Sequence, residues 1–203
     1  NPQIVEEIGQ NYKKQEILKA ARKGESLEGT GCIVIDTRLK KIYCCISKRA
    51  DFHTLIKFNM KLSKLAKESY QLVTFSAKIR AASQCSILML PGDPRQARSY
   101  MLDAIDNDHD KMLMRKQATE GGRELVDVSL EELGNMCCNL VQLRSEKKED
   151  GELCLIMSER ARKHMRKENI ATLEKHYTIV ASDVSTIETI GGGSARCMVA
   201  EIF

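Results

Sequence analysis

The stretch richest in chemistry closes the chain: TIETIGGGSARCMVAEIF, from Thr186 to Phe203. Three consecutive glycines, Gly191 to Gly193, lead through Ser194-Ala195-Arg196 into a single cysteine, Cys197. Glycines in a row fit a tight turn, because without a Cβ they reach backbone angles closed to other residues and let another group come close. A cysteine at such a junction serves either as a nucleophile or as a small core residue, and residue type alone leaves both open. The glycine run lacks the lysine of a phosphate-binding loop and does not pass from a strand into a helix, so it does not read as a nucleotide site. A second stretch, SERARKHMRK from Ser158 to Lys167, gathers Arg160, Arg162, Lys163, Arg166 and Lys167. These cations are either a solvated helix face or a set of phosphate contacts for RNA. Few aromatics lie near them to stack on bases.

Groups of this kind need elements to hold them, and the chain repeats itself about every fifty residues. The first unit reads as a strand CIVID, a turn TRLKK, a strand IYCCIS, a helix over 52–69 and a strand YQLVTFSA. The helix rests on apolar spacing at Leu55, Ile56, Phe58, Met60, Leu62 and Leu65, with lysines on the other face. The second unit reads as CSILML, a turn PGDP, a strand SYMLDAI, a helix over 108–120, a GG turn and a strand ELVDVS. After a helical turn LEELG comes the third, with MCCNLVQLRS, a polar turn EKKEDG, LCLIMS, a helix over 159–175 and TIVASD. The run RCMVAEI then reads as a closing strand. Each unit is strand, strand, helix, strand. Its apolar faces cannot be buried alone, which predicts packing of the units about an axis.

Composition limits what the chain can be. It has 203 residues with 42% apolar side chains, no tryptophan and 4% aromatics, so the core must be aliphatic, with methionine filling gaps. The net charge of +4, from 32 basic and 28 acidic residues, is scattered along the chain and describes a solvated surface first. No run approaches the roughly 18 residues needed to cross a bilayer, and the start NPQIVEEIGQNYKK lacks the apolar core of a secretory signal. The absence of an initiator methionine suggests a processed or partial chain. Most of the eight cysteines lie in apolar runs: Cys32, Cys44, Cys45, Cys85, Cys137, Cys138 and Cys154. None has C-x-x-C spacing, so no metal or other cofactor is expected, and the compartment should be reducing, cytoplasmic or mitochondrial. Adjacent cysteines on a strand should face opposite ways.

LEGTG before an apolar strand, GNM before another, and the terminal IETIGGGSARCMVAEIF together resemble the second half of the citrulline-utilisation hydrolases. Those belong to the arginine deiminase and amidinotransferase superfamily of guanidino-group-modifying enzymes. The resemblance implies a pentein, an α/β propeller of five ββαβ blades, of which this chain carries about three in residues 25–203. Residues 1–24 would be an N-terminal helical or linker segment. It also implies that Cys197 stands at the position of the nucleophile that attacks the guanidinium carbon to give a covalent thiouronium intermediate. Glu28 matches a carboxylate that grips the planar cation. The family histidine that carries protons, within a His-Thr-Asn triplet, aligns here with Gln84-Cys85-Ser86, which leaves Ser86 as a substrate-side position. Glutamine cannot cycle a proton, so a factor of roughly 10² to 10⁴ should be lost.

Bland alternatives stand beside these readings. Glu28 serves equally as a carboxylate that stabilises a turn, and His53, His109, His164 and His176 fall on helices or helix ends. The expectation is an inactive pentein kept as a structural subunit of a larger assembly, such as a mitochondrial ribosome or respiratory complex. A protein partner or the missing N-terminal half would complete the propeller and cover its open edges. The alternatives are an active hydrolase or amidinotransferase working through Cys197, and an RNA-contacting subunit.

Overall fold

The computed structural model describes residues 25–28, 32–77, 98–100, 102–105, 107–120, 122–145 and 151–199. In the first unit, β1 (Ile33–Asp36) runs antiparallel to β2 (Lys41–Cys45). Helix α1 (Phe52–Ala66) crosses over, and β3 (Gln71–Phe75) returns parallel to β2, giving the sheet order β1-β2-β3. The Asp51 carboxylate starts α1 by accepting the Thr54 N–H at 2.8 Å, and Lys67 ends it in the left-handed region. All of β2 is buried, which requires cover on both faces. Ile42 and Cys44 join Leu55 and Tyr70 under α1, while Tyr43 and Cys45 join Val73, Phe75, Leu102 and Met114 on the other face. Cys44 and Cys45 therefore enter different cores, as the alternation of a strand requires.

In the second unit, β4 (Arg98–Tyr100) and β5 (Leu125–Asp127) pair in parallel on either side of α2 (Asp108–Thr119). The expected strand over 99–105 ends early. Leu102–Ala104 is a 3-10 helix, closed by the Ile105 N–H on the Leu102 carbonyl, which tucks Leu102, Ala104 and Ile105 into the cores. The run CSILML, the turn PGDP and residues 1–24 lie outside the described residues.

Helix α3 (Leu130–Gly134) opens on a capping box between Ser129 and Glu132. In the third unit β6 (Val141–Arg144) is antiparallel to β7 (Leu153–Ser158). Two short helices, α4 (Glu159–His164) and α5 (Lys167–Glu174), lead to β8 (Thr178–Ser182), parallel to β7. The order β6-β7-β8 repeats that of the first sheet. The chain then forms α6 (Ser185–Gly191) and a 3-10 helix, Ala195–Met198.

Three expectations change here. The strand over 136–145 shortens because Met136 takes a left-handed conformation, φ 64°, and the Cys137 N–H folds back onto the Glu132 carbonyl. The helix over 159–175 breaks at Met165 and Arg166, whose backbones are extended. The cause is Glu132, whose carboxylate takes the Arg166 N–H at 2.8 Å and its Nε at 3.0 Å, while the buried Met165 fills the core beside Leu155 and Leu173. The closing strand becomes the 3-10 helix up to Met198, and residues 200–203 lie outside the described residues.

The units are tied by polar groups as well as apolar ones. The buried Lys41 ammonium bonds Gln117 and Glu120, Arg123 meets Asp36 at 3.4 Å, and the Asn169 amide reaches the Asp127 carbonyl at 3.0 Å. The result is a mixed α/β fold with no closed barrel among the described residues. No helix among them is long and apolar enough to cross a membrane.

Candidate functional site

Cys197 is placed by the end of α6 and the turn that follows. Gly192 caps the helix at φ 68°, a left-handed angle that costs glycine little. At Gly193 a Cβ would stand 3.0 Å from the Cys197 Cβ and 3.3 Å from its Sγ. The cysteine folds back over this position, so the close approach suits a residue without a side chain. Ser194 is fully buried, and its hydroxyl donates to Glu188 Oε1 at 2.6 Å, fastening the turn to the helix before it. The Ser194 carbonyl takes the Cys197 N–H at 2.9 Å.

The cysteine itself is exposed, which removes the reading of it as a core residue. Its Sγ accepts the Asn139 amide at 3.0 Å, and Asn139 Oδ1 takes the Arg196 N–H at 2.8 Å. Asn139 lies 58 positions away in sequence, just before β6. Sequence reasoning passed over it, and the one available signal was an asparagine inside the apolar run CCNLV. Three of the other thiols differ. Burial pushes Cys137 up to about 12 and raises Cys138 further, and Cys44 is raised by the hydrogen bond it shares with Cys32. These sulfurs stay protonated and enclosed.

Glu28 is half-exposed and pairs with Arg49, Oε2 to guanidinium at 3.1 Å, while its own N–H donates to the Arg49 carbonyl. It shares no hydrogen bond or ion pair with Cys197. Gln84 and Ser86 lie outside the described residues. All four histidines are described, and none bonds Cys197. His53 sits edge-on to Phe52, His109 is exposed on α2, His164 Nδ1 meets the Arg160 carbonyl, and His176 Nε2 lies 3.3 Å from Glu124. Two of the five basic residues of the third unit are committed internally. Arg160 holds Asn135 and the Gly134 carbonyl, and Arg166 holds Glu132 and the Asp127 carbonyl. Arg162, Lys163 and Lys167 face solvent. No cluster of three metal-ligating side chains occurs among the described residues.

The fold that carries this thiol has parallels among known proteins. The family model for eukaryotic N,N-dimethylarginine dimethylhydrolase matches residues 2–203. No curated protein matches the sequence. Among solved structures, ArgZ, an arginine dihydrolase from the ornithine-ammonia cycle in cyanobacteria, superposes with a TM-score of 0.67 at 16% identity, over 97% of this chain and 26% of that one. Its N-terminal domain bound to product gives 0.68 at 14% identity, over 100% of this chain and 64% of that one. SxtG, an amidinotransferase from Microseira wollei in the saxitoxin biosynthetic pathway, gives 0.58 at 10% identity, over 100% and 59%. Identities this low carry the fold alone, and the chain spans less than two thirds of each of these structures. Together with the match along nearly the whole sequence, they make the chain a member of the eukaryotic N,N-dimethylarginine dimethylhydrolase family, within the pentein superfamily of guanidino-group-modifying enzymes.

Proposed function

We propose that this chain keeps the thiol half of guanidino-group chemistry and lacks the proton-carrying half, so that it serves as a structural pentein subunit rather than a turning-over hydrolase. The observation that carries the reading is the placement of the histidines. All four are spent on other contacts or on solvent, and the partner of Cys197 is an asparagine. Attack of the sulfur on a guanidinium carbon needs a group that protonates the departing amine and then takes a proton from water. An amide does neither. With Gln84 at the aligned histidine position, no histidine among the described residues supplies such a group to Cys197.

The structural role draws support from the surface beside the thiol. Ile187, Ile190, Met198 and Val199 are exposed on α6 and the terminal turn, Ile190 to 83%. Apolar side chains grouped in this way mark a face that another polypeptide covers. The remaining pentein blades are its fitting occupant, whether on further polypeptide of the same protein or on a partner.

Incubated at high concentration with arginine, agmatine or N,N-dimethylarginine, the protein is expected to release no ureido product above a Cys197→Ala control. A Cys197-dependent product overturns the proposal. It would favour the second reading, an active hydrolase whose base comes from another chain, for which the exposure of Cys197 speaks.

A further inference from the structure

We infer that Asn139 is a positioning residue for Cys197, fixing the direction of the sulfur through an amide N–H. The inference takes from the proposed function only that Cys197 is the family's attacking thiol. The identity of the two amide atoms follows from the backbone. The Arg196 N–H can only donate, so the atom facing it at 2.8 Å is the oxygen, and the NH₂ group must face the sulfur at 3.0 Å. One side chain thus holds both the N–H of the residue before the cysteine and the cysteine's sulfur.

The asparagine is itself held. It is 8% exposed, its N–H donates to the Met136 carbonyl at 2.8 Å, and Met136 supplies the left-handed bend that turns the chain toward β6. On the opposite side the turn is fastened by Ser194 on Glu188 and packed at Gly193. Between these supports the sulfur accepts from the amide, on a residue that is exposed to solvent. An incoming electrophilic carbon then meets a sulfur already aimed, and a small loss of aim costs a large part of a rate. Asn139 acts through Cys197 in this arrangement.

The test uses two isosteric variants of the full chain. Asn139→Asp keeps the oxygen that accepts from Arg196 and loses the donor to sulfur. Asn139→Leu loses both. Each is alkylated with iodoacetamide, in which a sulfur–carbon bond forms as iodide leaves, and the Cys197 peptide is followed by mass spectrometry. Thermal unfolding of each is recorded alongside. The expected result is a loss of about tenfold in the Cys197 rate in both variants, with the Asp variant as stable as the parent. Parent-like rates in both, or a loss in only one of two folded variants, overturn the inference. If Asn139→Leu does not fold, Asn139→Ala, which loses the same two contacts and adds no charge, takes its place. Alkylation is read without turnover, so this inference and the proposed function fail on different measurements.

Discussion

The first and third units share a sheet order and a hydrogen-bonding pattern, yet one is built on a single helix and the other on a broken one. In the first, α1 runs fifteen residues from the Asp51 cap without interruption. In the third, the crossover is split into α4 and α5 at Met165 and Arg166, because the carboxylate of Glu132 claims the Arg166 backbone and side chain. A repeat can therefore keep its ladder while a buried charge redirects its crossover. The unit so redirected is also the one that carries Asn139, and its last strand leads through α6 to Cys197.

The largest effect is expected from Glu132→Ala. That carboxylate collects the Ser129 N–H, the Arg166 N–H and Nε, and the Asn169 amide, and its removal leaves those donors unsatisfied beside the core. The expected loss is about 3 kcal/mol in denaturant unfolding. Asp51→Ala, the counterpart in the first unit, removes one helix cap and should cost a fraction of that. Equal losses would mean that the break in the third helix is not Glu132's work.

Acid should separate the units next. Burial pushes the Glu132 carboxyl up, but the hydrogen bonds from Arg166, Ser129 and Asn169 outweigh it and hold the group below its ordinary value of 4.5. A folded-state value below the unfolded one contributes stability at pH above the ordinary value. That stability is lost as pH falls through the folded value. The parent protein should thus lose stability more steeply below about pH 4.5 than Glu132→Gln, as followed by circular dichroism. Parallel acid limbs would remove Glu132 as the cause.

A smaller effect is expected at the glycine turn. Gly192→Ala meets nothing within 4 Å but must hold φ 68°, a cost of about 1 kcal/mol. Gly193→Ala has no such angle and instead presses on the Cys197 sulfur. It should change the Cys197 alkylation rate more than Gly192→Ala does, and the reverse order would place the essential glycine wrongly. The smallest effect belongs to Arg162, Lys163 and Lys167 replaced together by glutamine, which should move stability by less than about 0.5 kcal/mol. If the third unit contacts RNA, the same variant should weaken that binding and flatten its salt dependence. Unchanged RNA binding would take this face out of consideration.

Much of this was legible wherever residues near in sequence decide the outcome. The alternation in KIYCC put Cys44 and Cys45 on opposite faces, the apolar spacing after Asp51 placed α1, and LCLIMS gave the strand over 153–158 as found. LEELG gave the helical turn of α3 as found. What sequence reasoning missed was settled by distant partners. Nothing in SERARKHMRK announces that Glu132, 34 positions upstream, will take the Arg166 N–H. Nothing in CCNLV points to Arg196 and Cys197 as the partners of Asn139. Helix α6 escaped because its seven residues carry no side-chain cap, and Arg196–Met198, the start of the expected closing strand, lie in a 3-10 turn held by Asn139 and Ser194.

The division of the neighbouring thiols Cys44 and Cys45 between two cores makes the molecule its own reporter of local opening. Cys44 lies in a core within the first unit, among Ile42, Leu55 and Tyr70, whereas Cys45 lies in the core that the first unit shares with the second unit's Leu102 and Met114. If the units part while each stays folded, a thiol reagent gains Cys45 and still misses Cys44. If the first unit melts, both are labelled together. Two adjacent atoms of sulfur thus distinguish breathing between units from unfolding within one, because the contacts that cover each belong to different cooperative parts of the structure.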